Sequence, residues 1–166
     1  PLPLPNPGFE TGDSSGWILY GADEKQTRVV GGPGVAHSGN SALQFSKSPM
    51  ETWGSALMRL DGLVQRGDKV MASVWVRRAS KQSGTPYLAI AIKNTNTFDF
   101  ICGIRETSKA AGLGWSKITA EYKIQGDNAF FDVTKTHIEI NVGVLGETTP
   151  NTLFIDDLQV RKKAEK

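Results

Sequence analysis

The sequence predicts an all-β fold, an antiparallel two-sheet sandwich, and three observations carry that expectation. The 18 Gly and 8 Pro are spread along the chain as turn punctuation rather than gathered in one linker. Between them lie short segments in which apolar and polar residues alternate with period two, the spacing that sends successive side chains to opposite faces of a strand. No apolar stripe at helical spacing runs long enough for an ordinary helix.

The clearest strand is Lys69 to Arg78: Val70, Ala72, Val74 and Val76 form the core row, and Met71, Ser73, Trp75 and Arg77 form the outward row. Tyr87 to Lys93 repeats the device, with Leu88, Ile90 and Ile92 inward and Tyr87, Ala89, Ala91 and Lys93 outward. His137 to Leu145 does so again, burying Ile138, Ile140, Val142 and Val144 and presenting His137, Glu139, Asn141 and Gly143. Further candidates are Gln26 to Val30, Ser41 to Phe45, Ser55 to Asp61, Phe98 to Ile104, Trp115 to Ile124 and Thr152 to Arg161. Together they make about nine strands, spaced as in a two-sheet sandwich.

The 166 residues predict one domain over residues 1–161, followed by a basic tail or linker at 162–166. A chain of this length buries about two-thirds of its unfolded surface and holds a core without staples. Its single cysteine, Cys102, rules out an internal disulfide and reads as a small strand residue. The formal charge of +2 gives no basic stripe for nucleic acid. No run of about 18 apolar residues suggests a membrane span. The opening PLPLPNPGFE lacks the basic start and apolar stretch of a signal peptide, so the chain is expected to begin at a processing point, at a domain boundary or after loss of an initiator Met.

The ends are more specific. The opening Asn6-Pro7-Gly8-Phe9-Glu10 with Gly16-Trp17, the segment Ala36-His37-Ser38-Gly39-Asn40-Ser41-Ala42-Leu43, and the closing Leu153-Phe154-Ile155-Asp156-Asp157-Leu158-Gln159-Val160 together resemble the jelly-roll carbohydrate-binding modules of the family 4, 9, 16 and 22 type. The resemblance spans almost the whole chain. It implies a jelly-roll sandwich with its first and last strands adjacent, polysaccharide or cell-surface glycan as partner, an extracellular or cell-surface setting, and catalytic domains in the same polypeptide. It also implies a structural Ca²⁺ held by the Glu of the Gly-Phe-Glu motif, main-chain carbonyls including those around the Ser-Gly turn, and an Asp of the Asp-Asp pair, carried over by position as Glu10, Asn40 and Asp156. Where some relatives place a carboxylate this chain has His37, a poor partner for calcium, which leaves that vertex to main chain or water. On the residues alone, Glu10 and Asp156 need a cation or hydrogen-bond donors beside them, and capping loops or pairing with Lys and Arg serves equally. Phe9 and Trp17 read as core aromatics that pin the start of the chain.

A saccharide offers CH faces that stack on aromatic rings and hydroxyl edges that pair with planar polar groups. The outward rows supply both. If their strands join one sheet, Trp75, Arg77, Tyr87, Glu139 and Asn141 line one face, and this is the expected glycan surface. Trp53 stands before Gly54 where xylan-binding relatives place a stacking Trp, and Arg28 resembles the Arg those relatives use against sugar hydroxyls. Other roles fit the same residues: Trp75 covered by a loop or a neighbouring subunit, Arg77 and Glu139 as a cross-strand ion pair, Trp115 and Tyr122 packing a strand edge.

Enzyme signatures are missing from the sequence. The two histidines, His37 and His137, belong to no metal or triad motif, there is no Gly-x-Ser-x-Gly elbow, and Gly31-Gly32-Pro33-Gly34 lacks the phosphate-loop Lys. The reading is therefore a noncatalytic carbohydrate-binding module that holds a partner enzyme or surface protein on polysaccharide. The alternative is a jelly-roll structural or interaction protein, such as a virion surface, decoration or adhesin subunit, whose outward aromatics meet neighbouring subunits.

Overall fold

The computed structural model describes residues 1–108, 111–124, 134–146 and 151–163. They form ten strands: β1 Ile18–Tyr20, β2 Arg28–Gly31, β3 Ser41–Ser46, β4 Ser55–Arg59, β5 Lys69–Arg78, β6 Thr85–Asn94, β7 Phe100–Thr107, β8 Ser116–Lys123, β9 Thr136–Leu145 and β10 Thr152–Lys163. All pairings are antiparallel, in a front sheet of order β1-β4-β9-β6-β7 and a back sheet of order β2-β3-β10-β5-β8. The fold is a jelly-roll β-sandwich, as expected.

Alternation builds the core. The valines and alanine of β5, the Leu and Ile residues of β6, and Ile138, Ile140, Val142 and Val144 of β9 meet between the sheets in one buried cluster. Removing one such large side chain costs about 2–5 kcal/mol, so the inward rows fix which face of each strand points out. Phe9 and Trp17 join this cluster with stacked rings 5.0 Å apart, and the Trp17 indole donates to the Asn6 carbonyl at 3.0 Å.

Three expectations change. The first strand is β1, only three residues long and too short to show a period, and it sits at the edge of the front sheet. The opening segment does lie against the last strand, but as irregular chain: Leu2 donates to the Val160 carbonyl at 2.7 Å, and Leu158 donates to the Pro7 carbonyl at 3.1 Å. At the other end, β10 runs through Lys163, so Lys162 and Lys163, assigned to the tail, pair with Val70 and Lys69; residues 164–166 lie outside the described residues.

The third change matters most for function. The segment 79–84 carries the chain from β5 in the back sheet to β6 in the front sheet, rather than turning it back as a hairpin within one sheet. Trp75, Arg77 and Arg28 therefore lie on the back sheet, while Tyr87, Glu139 and Asn141 lie on the front sheet. The single face expected for them does not exist, because the outer faces of a sandwich point away from one another across its thickness.

Candidate functional site

On the front sheet the pairing register sets the outward side chains in rows. One row runs Tyr20, Ser55, Gly143, Tyr87 and Thr107; the next runs Ile18, Leu57, Asn141, Ala89 and Arg105; a third runs Arg59, Glu139, Ala91 and Gly103. His137, Lys93 and Phe100 close the end. The small residues Ala89, Ala91 and Gly103 of β6 and β7 sit low between larger outward neighbours, and this low strip is the trench. Gly143 is required there: a Cβ would lie 2.5 Å from the Gly54 carbonyl oxygen and 2.7 Å from the Tyr87 hydroxyl.

The trench floor is a connected polar network. Glu139, 1% exposed, takes Lys93 and Asn141 on Oε1, the Asn141 amide donating at 2.9 Å, and meets His137 Nε2 at 2.8 Å on Oε2. Ser55 donates to Asn141 Oδ1 at 3.1 Å, and the Tyr87 hydroxyl bonds Ser55 in turn. Burial on its own would raise the Glu139 carboxyl, but the Lys93, Asn141 and His137 hydrogen bonds outweigh it and hold the group below the usual carboxylate range, and so charged. Burial also pushes the Tyr87 phenol up, so it stays a neutral hydrogen-bonding hydroxyl.

Exposed aromatics flank this floor. Tyr20 and Trp53, 56% and 55% exposed, stand on one side, where the Trp53 carbonyl crowds Gly21 just after Tyr20. Phe98 and Phe100, each 63% exposed, stand at the β6–β7 end, with the Phe98 ring edge-on to His137 at 6.2 Å. Exposed aromatic faces of this kind are what the CH faces of a sugar chain stack on at a protein surface.

The back face uses its aromatics differently. Trp75 stacks on His37, ring centroids 3.8 Å apart and planes 14° off parallel; Trp115 meets His37 edge-on at 5.9 Å; and the Arg77 guanidinium lies 3.8 Å over Phe154 and 5.3 Å from Trp115. One ring face of Trp75 is thus covered by the chain's own 32–40 loop. Arg77 has no part in an ion pair with Glu139, which Lys93 holds on the other sheet. Arg28 is exposed at the far end of the same back-sheet row, opposite Gln44 and in line with Phe154 and Arg77.

A bulge in β10 explains the Asp-Asp pair. The register shifts between Asp156 and Gln159, with Asp157 at φ +49°, so alternation breaks and both aspartates reach the same loop. The His37 and Ser38 amides donate to Asp156 Oδ2 at 2.8 and 3.2 Å, and the Asp157 amide donates to Asp156 Oδ1 at 2.7 Å. His37 Nδ1 lies 2.7 Å from Asp157 Oδ2, and the Ser38 hydroxyl donates to Asp157 Oδ1 at 2.8 Å. Burial pushes the Asp156 carboxyl up to about 6, with the Asp157 charge adding to it and the Ser38 amide opposing. Glu10 takes the Asn40 and Ser41 amides, each at 3.0 Å on Oε1. The Asn40 carbonyl accepts from the Gly32 amide at 3.2 Å.

These contacts bear on the calcium expected at Glu10, Asn40 and Asp156. Both carboxylates face N–H donors, and Asn40 offers Glu10 an amide rather than an oxygen. Among the described residues no three His, Cys, Asp or Glu side chains gather as a metal-binding group. As arranged, the donor set fits carboxylates that hold a loop by its amides; it does not fit a calcium cradle, whose oxygens must point at the ion.

Of the residues singled out in the sequence, Tyr87, Glu139 and Asn141 come together on the front sheet, Trp53 stands exposed just before β4 with its carbonyl beside Gly21, and Trp75, Arg77 and Arg28 lie on the back sheet. Sequence reasoning missed Tyr20, Phe98 and Phe100. The available signal was an aromatic set among turn-forming polar residues, as in Asn94-Thr95-Asn96-Thr97-Phe98-Asp99-Phe100, which nothing nearby in sequence would cover.

The sequence pattern of the family described as "Carbohydrate binding domain" matches residues 4–142. No curated protein sequence matches the chain. Among solved structures, the CBM22-2 xylan-binding domain of Paenibacillus barcinonensis Xyn10C is 19% identical, with TM-score 0.66 over 94% of this chain and 97% of that one. The CBM22-1–GH10 modules of Clostridium thermocellum xylanase 10B, complexed with xylohexaose, are 17% identical, with TM-score 0.65 over 96% of this chain and 28% of that one. A cyclase from Fischerella sp. TAU is 14% identical, with TM-score 0.71 over 99% of this chain and 98% of that one. At these identities the likenesses show the fold, which serves more than one chemistry.

Proposed function

Because the chain belongs to the carbohydrate binding domain family, we propose that it is a noncatalytic module whose front trench binds polysaccharide and holds an attached catalytic domain or surface protein on it. The observation that carries this reading is the flanking of a buried polar floor by Tyr20 and Trp53 on one side and Phe98 and Phe100 on the other. Xylan is the first polymer to try, since two of the similar structures are xylan-binding or complexed with a xylo-oligosaccharide. An extracellular or cell-surface setting follows from the partner proposed; no helix among the described residues is long and apolar enough to cross a membrane, which bears on helical spans alone.

The noncatalytic part of the proposal rests on Glu139. It is the sole carboxylate among the outward side chains of the front strands, and Lys93, Asn141 and His137 occupy it. Glycoside hydrolysis needs a second carboxylate across the bond, and a freely acting acid needs an unengaged proton site. Structural calcium enters only as a separate proposal from the family resemblance, since the amides on Glu10 and Asp156 argue for direct capping.

The test is glycan-array screening and isothermal titration with the unmutated domain and with Trp53→Ala and Tyr20→Ala. Each substitution should weaken binding by about 2 kcal/mol, roughly 30-fold, while moving stability by less than about 0.5 kcal/mol. Glycan binding that neither change alters would place the site elsewhere.

A further inference from the structure

The polar groups of the trench floor are largely engaged with one another. Asn141 donates to Glu139 and accepts from Ser55, Ser55 is bonded by Tyr87, and Glu139 holds Lys93, Asn141 and His137. A neutral sugar is recognised through hydroxyls that need open donors and acceptors, and this floor offers few.

What stands open is cationic. Arg105 on β7 is exposed, opposite Ala89 in the register, with its guanidinium carbon 5.9 Å from the Tyr87 ring centroid. It has no ion pair among the described residues. Across the trench Arg59 lies opposite Glu139; its Nε is 2.6 Å from Asp61 Oδ2 but off the N–H direction, since that Nε makes no hydrogen bond. Lys93 stands at the trench end. Of the three outward cations, Arg59 is paired with Asp61 and Lys93 with Glu139, so Arg105 is the one without an ion pair among the described residues. Between the arginines the register sets only small outward residues on β6 and β7, Ala89, Ala91 and Gly103.

We propose that the front trench selects a polysaccharide bearing carboxylates, of the uronate class, and that Arg105 is the residue that recognises the carboxylate. The proposal rests on the reading of this face as the glycan site and adds the ligand's charge. A guanidinium presents paired N–H groups matched to a carboxylate, and an exposed one beside an aromatic ring keeps that fork available.

The experiment uses the whole domain and two forms of one polymer: glucuronic-acid-substituted xylan, and the same xylan after chemical reduction of its carboxyls to hydroxymethyl groups. The acidic form should bind about tenfold more tightly at low salt, with the preference shrinking as NaCl rises. Arg105→Gln, at an unchanged melting temperature, should erase the preference and leave affinity for the reduced polymer intact. Equal affinity of the unmutated domain for both forms overturns the inference and leaves the glycan site standing. A preference that survives both Arg105→Gln and Arg105→Glu overturns the role of Arg105. Binding to neither form, with polygalacturonate also blank, overturns the inference together with the reading beneath it.

Discussion

The two outer faces of this sandwich carry similar residue types and do opposite things with them. On the front, charge is buried in the floor and the aromatics stand free at the flanks; on the back, the aromatics and a guanidinium are stacked on one another and on His37. The difference comes from the 32–40 loop, which Asp156, Asp157 and Glu10 hold by its amides and side chains. An outward Trp is therefore available for binding only where no loop of its own chain has claimed its ring, and Trp75 and Trp53 are the two cases.

The sharpest way to break this comparison is at the buried charge of the front face. Lys93→Met leaves Glu139 buried without its cation and should cost about 3 kcal/mol of stability in chemical denaturation. Lys93→Met combined with Glu139→Gln should recover much of that loss. If Lys93→Met unfolds like the unmutated chain, the floor is not the rigid network described above. On the back face, Trp75→Ala removes the stacking platform for His37 and should cost about 2–3 kcal/mol while glycan affinity is unchanged. A Trp75→Ala domain of normal stability that no longer binds sugar would exchange the roles of the two faces.

The faces should also differ in the sign of their pH dependence. Asp156 has a folded pKa of about 6, above its unfolded value, so its contribution is full below about pH 4 and fades as pH rises through about 6. Glu139 is depressed, so its contribution is present above the unfolded value of about 4.3 and fades as pH falls through its lower folded value. Melting temperatures followed across pH should lose the upper slope in Asp156→Asn and the acid slope in Glu139→Gln. Identical profiles for the two variants would remove the distinction.

The smallest expected effect is from calcium. With Glu10 and Asp156 occupied by amides, excess Ca²⁺ or EDTA should leave the melt of metal-free protein nearly unmoved. A site filled at 100 times its Kd would add about 2.7 kcal/mol, and a shift of that size would show that the 37–41 loop rearranges around an ion.

Much of the front floor was legible in the sequence because period-two alternation is local: it marked Tyr87, Glu139 and Asn141 as outward before any partner was known. The matched ends likewise pointed to the 37–41 turn and the Asp-Asp pair as neighbours across more than a hundred residues. The β10 bulge was not legible, because it breaks the very alternation by which strands are read. Phe98 and Phe100 escaped because a turn has no period against which an exposed aromatic stands out.

The sequence by itself determined which side chains of each strand face the core and which face away, since that depends only on the pleat and on the cost of exposing valine and isoleucine. Which outward rows share a face was decided by the tertiary structure alone. The step from β5 to β6 between sheets, and the insertion of β9 between β4 and β6, depend on pairings distant in sequence, and no local pattern encodes them. The same holds for the loop laid over Trp75: a tryptophan's neighbours along its strand cannot show that a histidine 38 positions earlier will cover it.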